Sequence, residues 1–597
     1  MEKTLTPLEI YRDRLSRRRR TETKLAWRDG LIANLRLLMF AAVLGLLAWS
    51  FYAPDVTWLW ALVPLACFAG LIAFHGPVLN RLKRARLSVA HYGLGIDRIE
   101  GRWPGRGKTG EEHVPADHPY AIDLDLFGRG SLFELMATTA TRFGEETLAR
   151  WMCHQTAGAA EIEERQAAIE ELAPLLDMRE GLAVDGEGGT PGIAASQVIE
   201  WGKGAPILRG SFMRWPAIGM ALLGVTAFAG FFLWRWGVTP ILLVTLVNLV
   251  WLRAFQGRYQ RVLSGLERRE AELRTLAAVL HRFENRRFSA LRLRRLQRRL
   301  RVRGRPISRQ VSRLSRLVYL AESRHNVLFR PIAFYLLWQI HVAMAIERWR
   351  QECGPGIAQW LEALGELDAL SALGAYAYER PDDVFPVFEN KGVALELTEG
   401  GHPLLPEERC VRNTVQLDEE VRLLIVSGSN MSGKSTLLRT VGVNVVLAQL
   451  GAPVRCVRMR LRPMQVGATL RVQDSIQAGL SRFYAEIQRL GRLMEMSREG
   501  RPLLILLDEL LHGTNSHDRQ IGASALLLRF LGAGAIGLVT THDLALTRLA
   551  DDVPVVRNVH FQDRVRGGNI EFDYRMRPGV VQQSNALALM RSVGLDV

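Results

Sequence analysis

Cysteine is scarce in this 597-residue chain, and its five cysteines lie far apart without a C-x-x-C pair. They predict neither a disulfide framework nor a zinc site, so no zinc is expected and the chain fits a reducing cytoplasm. No cleavable signal peptide is expected, because the first apolar run begins only near residue 37, behind a basic segment. The length exceeds that of one compact core and favours roughly three or four domains.

Acidic residues are in the minority, since 61 Asp and Glu stand against 77 Lys and Arg, which gives a formal charge of +16. The basic excess is clustered in three blocks, Arg14–Arg20, Arg81–Arg86 and Arg286–Arg305. Such blocks attract phosphate backbones or anionic lipid head groups, and composition does not separate the two. Where they flank apolar runs, charge that sets membrane topology is the preferred interpretation.

Two apolar runs near the N-terminus, Leu37–Tyr52 and Trp58–Phe74, are separated by a short turn. Each would form about 25 Å of helix, just enough to cross a bilayer. Aromatic residues crowd the turn and basic residues flank the outer ends, so both ends should be cytoplasmic. We therefore predict a transmembrane hairpin over 37–75, between a basic cytoplasmic segment at 1–36 and a basic linker at 76–120.

A second pair of apolar runs, Ala217–Trp234 and Val238–Leu252, repeats this design and predicts another transmembrane hairpin over 211–252. Four spans per chain predict a multi-pass protein of the cell inner or plasma membrane with cytoplasmic soluble domains. Almost no polar residues lie inside the hairpins, which argues against a transport route through them.

The soluble segments differ in their periodicity. Residues 121–210 have a helical pattern, and residues 253–385 form long, charged, amphipathic helical patterns typical of a lever. Residues 386–597 alternate strand, loop and helix, which predicts a mainly parallel sheet. The predicted fold class is multidomain, α plus α/β, with a C-terminal P-loop domain.

A glycine-rich loop follows an apolar strand in this last segment. Gly428, four further residues and then Gly433-Lys434-Ser435 satisfy G-x-x-x-x-G-K-[ST]. The glycines let backbone N–H groups surround phosphate oxygens, Lys434 should reach the β- and γ-phosphates of ATP, and Ser435 should bind Mg²⁺. The residues predicted to bind ATP in this loop are Gly428, Ser429, Asn430, Met431, Ser432, Gly433, Lys434, Ser435 and Thr436.

Two acids end the apolar strand "RPLLILLDEL". Asp508 fits the role of holding Mg²⁺ together with Ser435, and Glu509 fits that of a general base that orients water. A later apolar strand ends at His542, whose imidazole could hydrogen-bond to the γ-phosphate or to the attacking water. Lys434, Glu509 and His542 are therefore the predicted catalytic residues.

The series "GSNMSGKST", "DELLHGTNSHD" and "TTHD" closely resembles the ATPase domain of the MutS mismatch-repair family. Asn430-Met431 inside the loop, and Gly513-Thr514 with Asp518 after the acids, are more specific than generic nucleotide-binding motifs. The L-S-G-G-Q signature of ABC transporter ATPases does not occur, and "QDSIQAGLSRFYAE" resembles the corresponding MutS segment instead.

This resemblance covers roughly residues 125–597 and is strongest over 400–597. It implies that Ser481 reaches the γ-phosphate bound to the opposite subunit, and hence a homodimer with shared sites. It also implies that Asp518 contributes to nucleotide binding and that Asn413 lies near the adenine base. Cys410 or the residue after it stands where members of the family usually have a stacking aromatic.

Together these features predict a membrane-anchored MutS-like ATPase that hydrolyses ATP at composite dimer sites and moves its helical arms. Arg286–Arg305 would then contact DNA non-specifically. A mismatch-recognition domain is not expected, because residues 1–120 hold the first hairpin and its basic flanks. The alternative is a membrane-associated ABC-type ATPase that acts on a protein or lipid partner without binding DNA.

Overall fold

The computed structural model of the chain describes most of its length. The described residues are 5–53, 58–115, 117–154, 157–186, 195–208, 214–264, 266, 269–323, 326–327, 329–389, 394–429, 431–471, 482–511, 515–566 and 569–581. Within them the chain is mostly helical up to residue 379 and mixed α/β beyond it.

The first fifteen α-helices form the N-terminal two thirds of the chain, and a two-stranded antiparallel hairpin interrupts them after α11. The helices are α1 Pro7–Tyr52, α2 Leu62–Ile99, α3 Leu132–Met136, α4 Arg142–Cys153, α5 Ala159–Leu172, α6 Leu176–Gly186, α7 Ala195–Lys203, α8 Arg214–Leu233, α9 Thr239–Leu263, α10 Glu270–Glu284, α11 Leu291–Arg299, α12 Ile307–Glu322, α13 Arg330–Tyr335, α14 Trp338–Cys353 and α15 Ile357–Glu379. The hairpin strands are β1 Arg301–Val302 and β2 Arg305–Pro306.

The first apolar hairpin belongs to two helices that are much longer than the predicted spans. Thr6 and Glu9 form a capping box that starts α1, which then runs without a break for 46 residues. The predicted basic segment is thus helical from residue 7 onward, and α2 carries the second span on to Ile99. Arginine and lysine are good helix formers, so the charged sequence on either side of each span continues the helix.

The basic N-terminal part of α1 docks on the helical body. Arg18 Nε lies 2.7 Å from Glu180 Oε1 on α6, and Arg14 Nη1 donates to the hydroxyl of Tyr92 on α2 at 3.0 Å. The ring of Tyr11 is buried against that of Tyr92, with centroids 5.5 Å apart. Some arginines of this basic block therefore bind the first helix to the helical body, in addition to any role in setting membrane topology.

Among the described residues, four helices, namely α1, α2, α8 and α9, are long and apolar enough to cross a membrane by length and composition. Their large apolar side chains are exposed, for example Leu37, Phe51, Phe232 and Leu243. Large exposed apolar surface marks a site of interaction with a membrane or with another protein.

The helical body is organised around α15, which is buried along most of its length. The carboxylate of Asp368 on this helix accepts hydrogen bonds from Thr141 N at 2.8 Å and Thr141 Oγ1 at 2.6 Å. Thr141 is the N-cap of α4, so a buried acid fixes the start of one helix against the middle of another.

Two sheets form the C-terminal third. A four-stranded sheet has the order β3-β7-β4-β5, and a six-stranded sheet has the order β12-β11-β6-β10-β9-β8. The strands are β3 Val387–Phe388, β4 Leu395–Gly400, β5 Asn413–Leu417, β6 Leu423–Ser427, β7 Arg458–Leu461, β8 Gln465–Thr469, β9 Leu503–Asp508, β10 Ile536–Thr541, β11 Val556–Arg566 and β12 Asn569–Pro578; the helices among them are α16 Lys434–Leu450, α17 Arg482–Met496, α18 Ser516–Gly532, α19 Leu544–Thr547 and α20 Leu549–Asp552.

The larger sheet is parallel from β11 through β6, β10 and β9 to β8, and only the edge strand β12 is antiparallel. This agrees with the mainly parallel sheet expected from the alternating pattern. Parallel strands bring their carboxyl ends to one edge, where ligands bind in open α/β sheets. The ends of β6, β9 and β10 therefore lie side by side.

Candidate nucleotide site

The glycine loop connects the buried strand β6 to the first turn of α16, which includes Thr436. Gly428 and Gly433 have φ values of 150° and 104°, a region that favours glycine. Ser432 Oγ donates to Ser429 O at 2.8 Å and closes the loop on itself. Met431 is 83% exposed at the tip. Asn430, which the sequence analysis also assigned to ATP, lies outside the described residues.

Lys434 is buried at the start of α16 and its ammonium group points back into the loop. Nζ donates to the carbonyl oxygens of Gly428 and Ser429, at 2.8 Å each. Burial lowers the pKa of Lys434, while Glu509 and Asp508 act in the opposite direction. The positive charge therefore lies near Asp508, at the end of β9, and near Glu509, which follows it.

Ser435 and Asp508 are in direct contact. Ser435 Oγ donates to Asp508 Oδ2 at 2.6 Å, and Thr540 Oγ1 on β10 donates to Asp508 Oδ1. Asp508 and Thr540 are paired residues of neighbouring parallel strands, so the sheet register itself fixes this contact. A hydroxyl and a carboxylate are hard oxygen donors that suit Mg²⁺, so these two residues fit the predicted metal role.

Glu509 follows directly with a positive φ of 48°, which is uncommon for a residue other than glycine. Its N–H donates to Thr540 Oγ1 at 3.2 Å. Its Oε1 lies 3.6 Å from His542 Nδ1, across the ends of two adjacent strands. The predicted base and the predicted histidine therefore meet, and Arg519, which the sequence analysis did not single out, lines the same small pocket.

The structure places Asp518 in a helix cap. Its N–H donates to Oδ1 of the N-cap residue Asn515 at 2.8 Å, and Asn515 Nδ2 donates back to Asp518 Oδ2 at 2.8 Å. These bonds stabilise the start of α18. The nucleotide-binding role of Asp518 stays a prediction, as does that of Ser481, which lies outside the described residues.

Asn413 binds the edge strand β12 through both ends of its side-chain amide. Nδ2 donates to Tyr574 O at 3.0 Å, and Oδ1 accepts from Met576 N at 2.8 Å. Tyr574 has a φ of 51°, and its Cδ1 would lie 3.0 Å from a Cβ atom placed on Gly433. A half-exposed aromatic ring thus lies against the glycine loop, whereas Cys410 or Val411 stands where the sequence analysis expected a stacking aromatic.

Sequence reasoning could not single out Tyr574. It is 32 positions beyond His542 in a strand without a recognised motif, and only the pairing of β12 with β11 brings it back to the loop. The one sequence signal for a stacking role was that Tyr574 is an aromatic residue in the hairpin of β11 and β12.

Asp123 is a second residue that the sequence analysis missed. Its fully buried carboxylate accepts N–H groups of Leu470 and Arg471, both at 2.7 Å, and also contacts the guanidinium of Arg489 on α17. The same helix contributes Glu486, whose Oε1 accepts from Leu511 N at 2.7 Å, just after the acid pair. Helix α17 therefore contacts both the helical body and the nucleotide site.

A parallel sheet with a glycine loop, a buried lysine and a strand-end acid pair is typical of phosphate-loop nucleotide-binding domains. Within that class the similarity is specific, since MutS domain V matches residues 424–596. Residues 424–596 therefore form a domain of the MutS family.

Individual relatives show the same similarity. The chain is 34% identical over 241 residues to endonuclease MutS2 of Thermus thermophilus, which covers 40% of this chain and 31% of the relative. It is 33% identical over 259 residues to the DNA mismatch repair protein MutS of Natronomonas pharaonis, covering 42% and 29%. It is 33% identical over 237 residues to the DNA mismatch repair protein MutS 2 of Halobacterium salinarum, covering 39% and 27%. The chain thus matches only about a third of the length of these curated relatives.

Proposed function

We propose that this chain is a membrane-anchored MutS-like ATPase that hydrolyses ATP at composite sites of a homodimer and thereby moves its helical body. One observation carries the enzymatic part. Lys434, the Ser435–Asp508 pair and the Glu509–His542 pair meet at the carboxyl edge of a single parallel sheet. Phosphoryl transfer to water depends mainly on positioning and electrostatics, and this set supplies both.

Each residue has a distinct role in this proposal. Lys434 neutralises phosphate charge, and Ser435 with Asp508 would hold Mg²⁺, which neutralises further charge when bound. Glu509 accepts a proton from the attacking water, while His542 holds that water or the γ-phosphate in place. Tyr574 stacks on the adenine ring, a role supported by its contact with the glycine loop.

Replacing Glu509 by glutamine tests the activity. Glu509→Gln removes the base but leaves the loop and the Ser435–Asp508 pair intact, so the variant should bind ATP and hydrolyse it at least about a hundredfold more slowly. Steady-state phosphate release from the full chain in detergent measures this. Glu495→Gln, on the exposed side of α17, is the matched control. Near-normal turnover of Glu509→Gln would contradict the assignment.

The membrane part of the proposal is supported by the four long apolar helices and the exposure of their large side chains. If the helices are inserted in a bilayer, an alkaline carbonate wash of membranes from expressing cells should leave the chain in the pellet. Release into the supernatant would contradict the proposed anchoring.

Binding to DNA is supported by the names of the relatives and by the basic region Arg286–Arg305, in which Arg298 and Arg299 are exposed. Replacing both by glutamine should reduce the slope of log affinity against log salt for duplex DNA by about 2. The control replaces Arg498 and Arg501, which are exposed on the C-terminal domain. Salt-dependent binding to anionic vesicles but not to duplex DNA would instead favour a lipid-directed or partner-directed ATPase.

A further inference from the structure

A cavity of about 700 Å³ lies within the N-terminal helical part of the chain. Its walls come from the C-terminal half of α2, the connection from α2 to α3, the start of α4 and the middle of α10. Leu87, Leu94 and Leu276 contribute apolar side chains to its lining, and Lys108, Glu112, His113 and Glu145 form its polar side. None of the residues that line this cavity belongs to the candidate nucleotide site.

Three possible metal ligands meet at this polar side. His113 Nε2 lies 3.6 Å from Glu145 Oε1 and 3.8 Å from Glu112 Oε1. Ligand atoms about 2.1 Å from a divalent ion in tetrahedral geometry are separated by roughly 3.4 Å. The three ligand atoms lie within 4.8 Å of one another, so side-chain shifts of at most about 1.4 Å would bring one imidazole nitrogen and two carboxylate oxygens into coordination distance of a single ion.

Two buried polar atoms at this site lack hydrogen-bond partners among the described residues. These are His113 Nε2 and Thr139 Oγ1, and Thr139 is 7% exposed and lines the cavity. Unpaired buried polar atoms cost free energy unless something else binds them. Since Nε2 is also the nitrogen that faces the two carboxylates, a ligand is the simplest way to satisfy it.

Lys108 completes the polar side. Its Nζ donates to Glu145 Oε2 at 2.6 Å and to Thr139 O at 3.3 Å. This ion pair engages Oε2, whereas the other oxygen, Oε1, is the one that lies 3.6 Å from His113 Nε2. The ammonium also lies close enough to repel a bound cation, so it should weaken metal binding.

We propose that Glu112, His113 and Glu145 bind one first-row divalent transition-metal ion. Imidazole with two carboxylates suits Zn²⁺ or Mn²⁺ better than the all-oxygen sets preferred by Mg²⁺ and Ca²⁺. Water molecules fill the other coordination positions from the cavity. The site uses no cysteine. It lies beside the C-terminal half of α2, the helix that carries the second apolar span.

Titration of the chelator-treated full chain in detergent with Mn²⁺, without nucleotide, tests the site. Loss of the spectrum of free Mn²⁺ in electron paramagnetic resonance counts the bound ions, and competition with Zn²⁺ gives its affinity. We expect one tight site in the wild type and in the control His281→Ala, whose histidine is exposed on α10. The site should persist in Asp508→Asn, which separates it from the proposed nucleotide-site metal.

His113→Ala should abolish the tight site. Glu112→Gln should weaken it by at least about tenfold, and because Glu112 is 63% exposed this variant should fold normally. Lys108→Met should strengthen binding by about tenfold or more, since it removes the repelling charge. Unchanged affinity in both His113→Ala and Glu112→Gln, or weaker binding in Lys108→Met, would overturn the proposal.

Discussion

Asp123 provides a test of how the helical body acts on the nucleotide site. Its carboxylate binds the N–H groups of Leu470 and Arg471, the last described residues before the segment that contains Ser481. It also binds Arg489, on the helix that begins directly after that segment. One side chain of the helical body therefore holds both flanks of the segment predicted to reach the opposite subunit.

Asp123→Asn keeps the shape of the side chain and one acceptor oxygen, but it turns an amide N–H₂ toward Arg489. Hydrogen bonds to charged groups contribute about 1.5–3 kcal/mol, so we expect a loss of about 2 kcal/mol. Asp123→Ala removes every acceptor and leaves Arg489 without this partner, which should cost about 3–5 kcal/mol. The asparagine variant is therefore the better probe, because it is less prone to unfold.

If this loss of about 2 kcal/mol falls on the conformation of this segment that is competent for hydrolysis, kcat should drop by about thirtyfold in Asp123→Asn. The reason is that about 1.4 kcal/mol corresponds to a tenfold change in rate. The KM for ATP should change little, because the glycine loop is untouched. Steady-state ATP hydrolysis by the full chain in detergent measures both constants. Combination with Arg489→Gln in a double-mutant cycle should give a strongly non-additive effect.

The control for this experiment is Asp117→Asn. Asp117 pairs with Arg492 on the same helix at 3.2 Å, but its side chain is 77% exposed, so its loss should change turnover by less than about twofold. Turnover of Asp123→Asn within twofold of the wild type, or additive effects of the Asp123 and Arg489 changes, would refute the reasoning.

Three further predictions concern single residues. Tyr574→Ala should raise the Kd for ATP about tenfold through lost stacking, whereas Tyr574→Phe should not; equal affinities in nucleotide titrations would contradict the stacking role. Ser481→Ala should lower turnover more than ATP binding, and unchanged turnover would count against a shared site. Burial lowers the pKa of His118 to about 4. The folded state therefore holds this side chain in its neutral form, which contributes up to about 3 kcal/mol to stability above pH 6.5. This contribution is lost as the pH falls toward 4. Melting temperatures across this range should fall less steeply in His118→Gln, and an identical acid dependence would contradict the assignment.

The local chemistry of the nucleotide site could be predicted because it depends on short spacings. Gly428, Lys434 and Ser435 lie within eight positions, and a loop between a strand and a helix can place them in only a few ways. The structure places Ser435 against Asp508 and Glu509 near His542, and the metal-binding and catalytic roles of these residues stay predictions. The roles of Asn413, Asp518 and Ser481 came only from resemblance and stay predictions. In the structure, the side chain of Asn413 hydrogen-bonds to β12, and that of Asp518 takes part in the helix cap with Asn515.

The helix boundaries at the N-terminus could be predicted only in part. Hydropathy marks where apolar runs begin and end, but helical propensity is shared by the charged residues around them, so α1 and α2 extend far beyond the predicted spans. The docking of Arg18 on Glu180 depends on a helix 162 positions away, which no local pattern indicates.

The sequence by itself therefore determined where the glycine loop lies, which strand ends in acids and which helices are apolar, because these properties depend on neighbours along the chain. Only the tertiary structure decided which distant residues meet. The strand order placed β9 beside β10 and folded Tyr574 back on the glycine loop. Helix packing buried Asp123 against α17 and the residues that follow β8, and it brought His113 close to Glu145. Such contacts arise from the burial of whole faces of helices and sheets, and a one-dimensional pattern does not specify which faces meet.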